Sequence, residues 1–284
     1  MPERPEVLHA PATVDFKVVQ KPRSVWERFS DNTAARRVLL LALLSLIWEL
    51  YARWLANPLL MPTFSATVVA LVSSFVSGAL PKALWFTIQM LLKGYALGLL
   101  LAALLTSFAS AARIGADLLE TLTAMFNPLP SIALLPLALI WFGLGDGSVI
   151  FVLIHAVLWP VALNTHAGFR AVSPTWRMVG RNYGLSRVSY ISRILLPGAF
   201  PSILMGLKAG WAFAWRTLIA AELVFGVSSG SGGLGWYIFE RKNQLLIPEV
   251  FAGLLTVILV GLLVENLVFR TIEIRTVRKW GMQV

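Results

Sequence analysis

Between Ser202 and Phe225 an otherwise apolar stretch carries three ionisable side chains, Lys208, Arg216 and Glu222. At the centre of a bilayer each costs about 2.5 to 3.5 kcal/mol even on lenient scales, so it must be paired, hydrated or functional. Arg216 has two uses open to it: a permanent guanidinium lining a path and favouring an anion, or half of a structural pair with a carboxylate on another segment. Arg216 and Glu222 are six residues apart, roughly 240° around a helix, so they do not form a same-face pair with each other. Glu222 suits hydrogen bonding within the packing, or the path. Trp211 and Trp215, at i and i+4, could stack on a solute or pack against a neighbour. Lys208, Trp215, Arg216 and Glu222 are therefore the candidate path residues. Glu49 and Arg53 are spaced to satisfy each other on one helix face.

Other chemistry has no support. His9, His155 and His166 lack partners at metal spacing, so no metal site is expected. No Ser/His/Asp or paired-carboxylate arrangement gives a catalytic residue. Gly230-x-Gly232-x-x-Gly235 fits the dinucleotide pattern, but no strand precedes it and no βαβ unit surrounds it. It reads as a glycine-rich turn, and no cofactor is expected on this chain. Cysteine is absent, which removes disulfide and thiol chemistry.

The most regular local chemistry lies just upstream. From Gly147 to Ala221 there is no Asp or Glu, while Arg170, Arg177, Arg181, Arg187 and Arg193 fall within one loop, about 170–198. Ser173 then Pro174 is a helix start, a hydroxyl at the N-cap and proline in the first turn; Gly184 ends a helix in a left-handed conformation. Trp176, Val179 and Tyr183 recur at three-to-four spacing, so the helix between is amphipathic. Ser186 can cap a second helix running to Leu196, with Pro197 its end or a kink. Two short helices around a glycine also describe a DNA-reading turn, but this loop is tied to apolar segments at both ends and has little core of its own, so nucleic acid is not an expected partner.

The elements that hold these residues are membrane spans. Hydrophobic residues make up 57% of the 284 residues and charged ones 13%, with a net charge of +10, the composition of a polytopic membrane protein. Hydropathy gives six helical spans, near 38–55, 83–108, 118–140, 148–169, 202–225 and 250–269. Met61 to Leu80 is apolar too, but its Pro62 and Gly78-to-Pro81 ending favour a helix lying at the interface. With both ends in the cytosol, 17 of the 24 basic residues fall inside, four outside and three within spans, as the positive-inside bias requires. Residues 1–36 form a basic tail without a cleavage site behind it, and 37–284 form the transmembrane domain.

Gly184-x9-Ile194-x-Leu196-Pro197 resembles the "EAA" loop of permease subunits of ATP-binding-cassette (ABC) importers of the binding-protein-dependent type. The motif's opening Glu-Ala-Ala falls on Met178-Val179-Gly180, a departure that puts the detail of its contacts in doubt. Ala214-Trp215, Leu218, Ala221-Glu222-Leu223 and Gly232-Gly233-Leu234-Gly235 are similar to the nitrate, sulfonate, taurine and bicarbonate branch, as are Asn127-Pro128-Leu129-Pro130 to Phe142-Gly143 and Gly94 to Gly98. The resemblance covers about residues 80–280 and implies an all-α, type I importer fold.

It also implies a division of labour. This chain would form the path for a small anion in a bacterial inner membrane, with a second permease copy, lipid around both, two cytosolic ATPases and an external, periplasmic binding protein. Its contacts with an ATPase would come from Trp176, Met178, Val179, Gly180, Arg181, Tyr183, Gly184, Ile194, Leu196 and Pro197. ATP and magnesium would belong to the partner ATPase, and this chain would not be an enzyme. The alternative is a self-sufficient secondary carrier or channel, but carriers usually combine two repeated halves and no internal repeat is visible.

Overall fold

A computed structural model describes residues 32–225 and 232–282. By contacts the chain divides into two units, 1–48 and 49–284. In the first, the described residues begin helix α1 (Thr33–Leu55). Asn32 Oδ1 caps it, accepting from the backbone N–H of Ala34 at 3.0 Å and Ala35 at 3.2 Å. The cap starts the helix inside the stretch that the sequence assigns to the tail. Leu40, Leu41 and Leu44 are exposed, as lipid-facing side chains are.

Among the described residues, the second unit is built of helices joined by short turns, with no strand. After the end of α1 come α2 (Phe64–Val76), α3 (Ala79–Ala111), α4 (Arg113–Phe126), α5 (Leu135–Phe142), α6 (Asp146–Ala171), α7 (Pro174–Asn182), α8 (Leu196–Phe225), α9 (Leu234–Asn243) and α10 (Ile247–Leu263). A helical turn, Arg187–Tyr190, and a π-helical stretch, Ile191–Leu195, lead into α8. Alternating π and α turns carry α10 on to Arg278. Five described helices are long and apolar enough to cross a membrane, and the α4–α5 pair makes a sixth if taken as one span.

That pair corrects the straight span expected over 118–140, because it bends by 88°. Pro128 and Pro130 explain the break: each lacks an N–H and disfavours helix at the residue before it. α2 has 13 residues, roughly 20 Å of helix, too short to span about 30 Å of hydrocarbon. Thr63 caps it, and Glu49, paired with Arg53 at 2.7 Å as expected, also accepts from Ser65 N at 2.9 Å.

α6 is the central element, and glycines set its distance from both neighbours. A Cβ on Gly94 or Gly98 of α3 would meet Leu153 and Val157 of α6. Both contacts step in the same chain direction, so α3 and α6 run parallel, and α4–α5 is the return between them. On the other side, Gly206 and Gly210 of α8 lie against Val161, and Gly168 of α6 against Ser202 and Ala199, an antiparallel contact. Lipid offers helices no hydrophobic gain on association, so close backbone approach through small residues has to supply the contact. The two small-residue repeats are therefore used within the chain.

Gly98→Leu tests this packing, since a Cβ there would sit 2.7 Å from Val157 Cβ and 3.3 Å from Ile154 O. Overpacking of about 1 to 3 kcal/mol should lower the unfolding temperature of the purified protein. Gly147→Ala, whose nearest neighbour is Phe142 at 3.5 Å, should not; equal stability of the two variants would contradict the packing.

Candidate functional site

The loop between α6 and α8 folds as its sequence suggests at the start and differs at the end. Ser173 Oγ accepts from Thr175 N at 3.3 Å, with Pro174 in the first turn of α7. Gly184 has φ +59; its N–H donates to Arg181 O at 3.0 Å and Leu185 N–H to Gly180 O at 3.2 Å. That pair of bonds is a Schellman termination, which needs the left-handed residue that glycine supplies without steric cost.

Pro197 does not end the second helix, which instead runs unbroken into α8. Leu196 N–H bonds Ile191 O, five residues back, and this wider π turn gives the proline ring the room that an α turn denies it. The loop and the span after it are therefore one continuous rod.

Two contacts seat α7. Arg177 donates to the carbonyls of Phe169, Arg170 and Val172, the last from Nε at 3.0 Å, and so satisfies carbonyls left open at the end of α6. Gly180 has no room for a side chain: a Cβ would sit 2.7 Å from the Tyr190 ring and 3.3 Å from Ile194 Cγ1. Here the departure from the motif's alanine has a cause, because Tyr190 fills the space a methyl would take. Ile194 packs in the small core of Val172, Leu195 and Ala199. Trp176, Met178 and Tyr183 are 62%, 55% and 79% exposed, with Arg181 exposed beside them. α7 thus presents an aromatic and basic face that nothing among the described residues covers.

The four candidate path residues are separated by the fold. Glu222 is buried and accepts from Thr87 Oγ1 at 2.9 Å and from Gly235 N–H at 2.9 Å; Leu234 N–H donates to the same Thr87 hydroxyl at 2.8 Å. It staples the glycine-rich turn to α8 and α3, and a Cβ on Gly233 would collide with its carboxylate. The turn's glycines thus permit close packing; Gly230 lies outside the described residues. Trp215 is 6% exposed in the main core. Trp211 packs edge-on to Tyr95, with centroids 5.5 Å apart. Lys208 pairs with Glu273 at 3.0 Å and Glu265 at 3.4 Å, tying α8 to the helix that continues α10. Trp215, Glu222 and Lys208 each engage a neighbouring helix, the packing alternative that the sequence left open for them.

Arg216 differs. It is exposed, its Nε donates to Ala212 O at 3.0 Å, its guanidinium lies 5.2 Å from the Phe213 ring centre, and it has no carboxylate partner among the described residues. It lines a cleft of about 390 Å³ between the α4–α5 break, α6 and α8. Sequence reasoning missed the other walls, His155 and Trp159 at i and i+4 on α6 and Ser131 at the break; Asn-Pro-x-Pro inside an apolar run was the available signal. Outside the spans, Tyr237 on α9 donates to Ser74 Oγ at 2.9 Å, and burial raises its pKa above the usual phenol value.

Residues 94–272 match the family of the binding-protein-dependent transport system inner membrane component, and the chain belongs to that family. It is 30% identical to the taurine transport system permease protein of Escherichia coli over 80% of this chain and 82% of the relative. Against the bicarbonate transport system permease protein of Synechococcus elongatus it is 30% identical over 78% and 82%. It shares 34% identity with the nitrate import permease protein of a Synechocystis strain over 54% of each. The chain is thus an ABC permease, a multi-pass inner membrane protein of the branch to which these relatives belong.

Two substitutions separate the roles. Thr87→Val removes the hydroxyl between Glu222 and Leu234 N–H, strands buried polar groups and should cost about 1 to 3 kcal/mol of stability. Arg216→Gln should leave insertion unchanged and stability within about 0.5 kcal/mol of the parent. Loss of the Arg216→Gln protein from the membrane, restored by neutralising a carboxylate on another span, would make Arg216 half of a structural pair.

Proposed function

We propose that this chain forms the translocation pathway of an ATP-driven importer for a small anion, and that α7 receives the motion of a cytosolic ATPase. The reading rests first on the loop. A short helix with a fixed start and stop presents Trp176, Met178, Arg181 and Tyr183 outward, is pinned to the end of α6 and packs through Gly180 on the separate rod that runs into α8. Closure of the ATPases would move that rod as a rigid body and open the path alternately to each side.

The rest of the assembly follows from what one chain offers. One docking loop per chain calls for two permease copies to engage two ATPases, most simply a homodimer. ATP and magnesium are used in the ATPases, and the permease contributes no catalytic group. An external binding protein delivers the solute, as the family description implies. Both termini and the α6–α8 loop lie in the cytosol, supported by the 17-to-4 distribution of basic residues. The relatives named for taurine, nitrate and bicarbonate, together with a cation in the cleft that has no carboxylate partner among the described residues, favour a small oxyanion as the solute.

Two measurements test this. In this cysteine-free chain, Ser186→Cys and Asn243→Cys should label from opposite sides of the membrane, Ser186→Cys only after permeabilisation; labelling of Ser186→Cys in intact cells would overturn the orientation. Gly184→Val forces a β-branched residue to positive φ, at about 1 to 2 kcal/mol. It should lower ATP-driven uptake and solute-stimulated hydrolysis while leaving membrane abundance unchanged. Normal coupling in that variant would count against α7 as the receiver.

A further inference from the structure

The cleft beside Arg216 has properties that packing alone does not explain. Its walls are the break at Asn127–Pro130, the His155 and Trp159 face of α6, and Phe213, Arg216, Thr217 and Ala220 of α8. The α8 residues recur at i, i+3, i+4 and i+7, so one whole helix face is turned into it. No acidic side chain lines it. His155 and Arg216 each lie nine residues from an end of their helix, roughly 13 Å of rise, which is near the middle of the hydrocarbon.

Three observations converge there. Non-helical backbone at membrane depth persists only where it is buried in protein or lines a wet cavity, and the α4–α5 break lines this cleft. A guanidinium at that depth needs water or a counter-ion, and Arg216 has no carboxylate partner among the described residues. Two buried ring nitrogens in the wall, His155 Nε2 and Trp159 Nε1, have no hydrogen-bond partner among the described residues, whereas buried polar atoms are ordinarily satisfied. Ser131 Oγ lies 3.1 Å from His155 Nδ1. With Ser131 as donor, the neutral ring carries its proton on Nε2 and both orphans are donors.

We infer that the cleft is a transit subsite for a small oxyanion carrying one negative charge, held by Arg216, with ring N–H groups of His155 and Trp159 as the neutral donors that turn to it. One fixed cation and no fixed anion set the charge it accepts. Two neutral donors beside a guanidinium match the oxygens of a sulfonate, nitrate or bicarbonate group. The inference rests on the importer reading above and gives it a place where the solute pauses within the bilayer. The helix break keeps the site wet, and a single cation without a second one behind it lets the ion leave.

Thiol modification in the assembled complex, reconstituted in nanodiscs so that both faces are open, tests the subsite. Thr217→Cys, in a chain with no other cysteine, is reacted with an anionic (2-sulfonatoethyl) and a cationic (2-trimethylammonioethyl) methanethiosulfonate. A cleft of one charge sign concentrates its counter-ion, so the anionic-to-cationic rate ratio should exceed that at Asn243→Cys by at least about tenfold. Adding Arg216→Gln should remove the excess, Arg216→Lys should keep much of it, and methanesulfonate should slow modification only while the cation is present. Should Thr217→Cys not assemble, Ala220→Cys, one turn away on the same face, takes its place. Equal ratios at the cleft and at Asn243→Cys, an excess indifferent to Arg216→Gln, or no protection by methanesulfonate would each overturn the subsite. Loss of the ratio with ATP-driven uptake intact sinks the subsite alone, whereas a complex that transports without an ATPase sinks the importer reading.

Discussion

Close approach of α6 to α3 and α8 is the contact on which the other features depend. Gly94 and Gly98 admit Leu153 and Val157 on one side, and Gly168, Gly206 and Gly210 bring the backbones together on the other. In lipid such contacts replace the hydrophobic core as the source of association, and they are set to fractions of an ångström. The parallel α3–α6 pair then requires a long return, which α4 and α5 supply, and the proline break in that return opens the cleft. The antiparallel α6–α8 pair places the end of α6 beside the start of the rod, where Arg177 and Gly180 lock α7. With wider helix spacing, the Glu222 carboxylate on α8 would not reach Thr87 on α3.

Polar groups fall into two kinds on this frame. Glu222, Lys208 and Glu49 are saturated: each has donors or counter-charges from a second element, and each fixes where that element lies. Such buried networks hold geometry when complete and are costly when half-made. Arg216, without a carboxylate partner among the described residues, and the ring nitrogens His155 Nε2 and Trp159 Nε1 are left open at one cleft, while Thr106, Thr123 and His166 are open singly elsewhere. Groups left unsatisfied in the middle of a membrane protein are where a solute has something to gain.

Much of this was legible in the sequence where a local rule fixes the outcome. Ser173, Pro174 and Gly184 fixed the limits of α7, because capping and left-handed backbone depend on a few neighbouring residues. The spacing of Glu49 and Arg53 predicted their pair for the same reason, and the run lengths gave five of the six spans. What was not legible depends on which helix lies opposite. Lys208, Trp215 and Glu222 are open in sequence to path or packing, and their contacts with Glu273, the main core and Thr87 depend on neighbours that the local sequence does not name. The 88° bend was hidden because hydropathy averages over Pro128 and Pro130. The continuity through Pro197 was hidden because a π turn has no sequence signal as strong as the proline it accommodates.

Under the proposed function, a rod that begins in the loop between α6 and α8 and continues as α8 makes coupling a mechanical statement. The most direct measurement is the distance between spin labels at Val188→Cys, 77% exposed on that rod, in the two permease copies of the reconstituted importer, without nucleotide and trapped during ATP hydrolysis. Rigid transmission predicts that the distance distribution shifts as a whole between the two states and keeps its width. An unchanged distribution under conditions where the complex hydrolyses ATP and transports would contradict coupling through this loop.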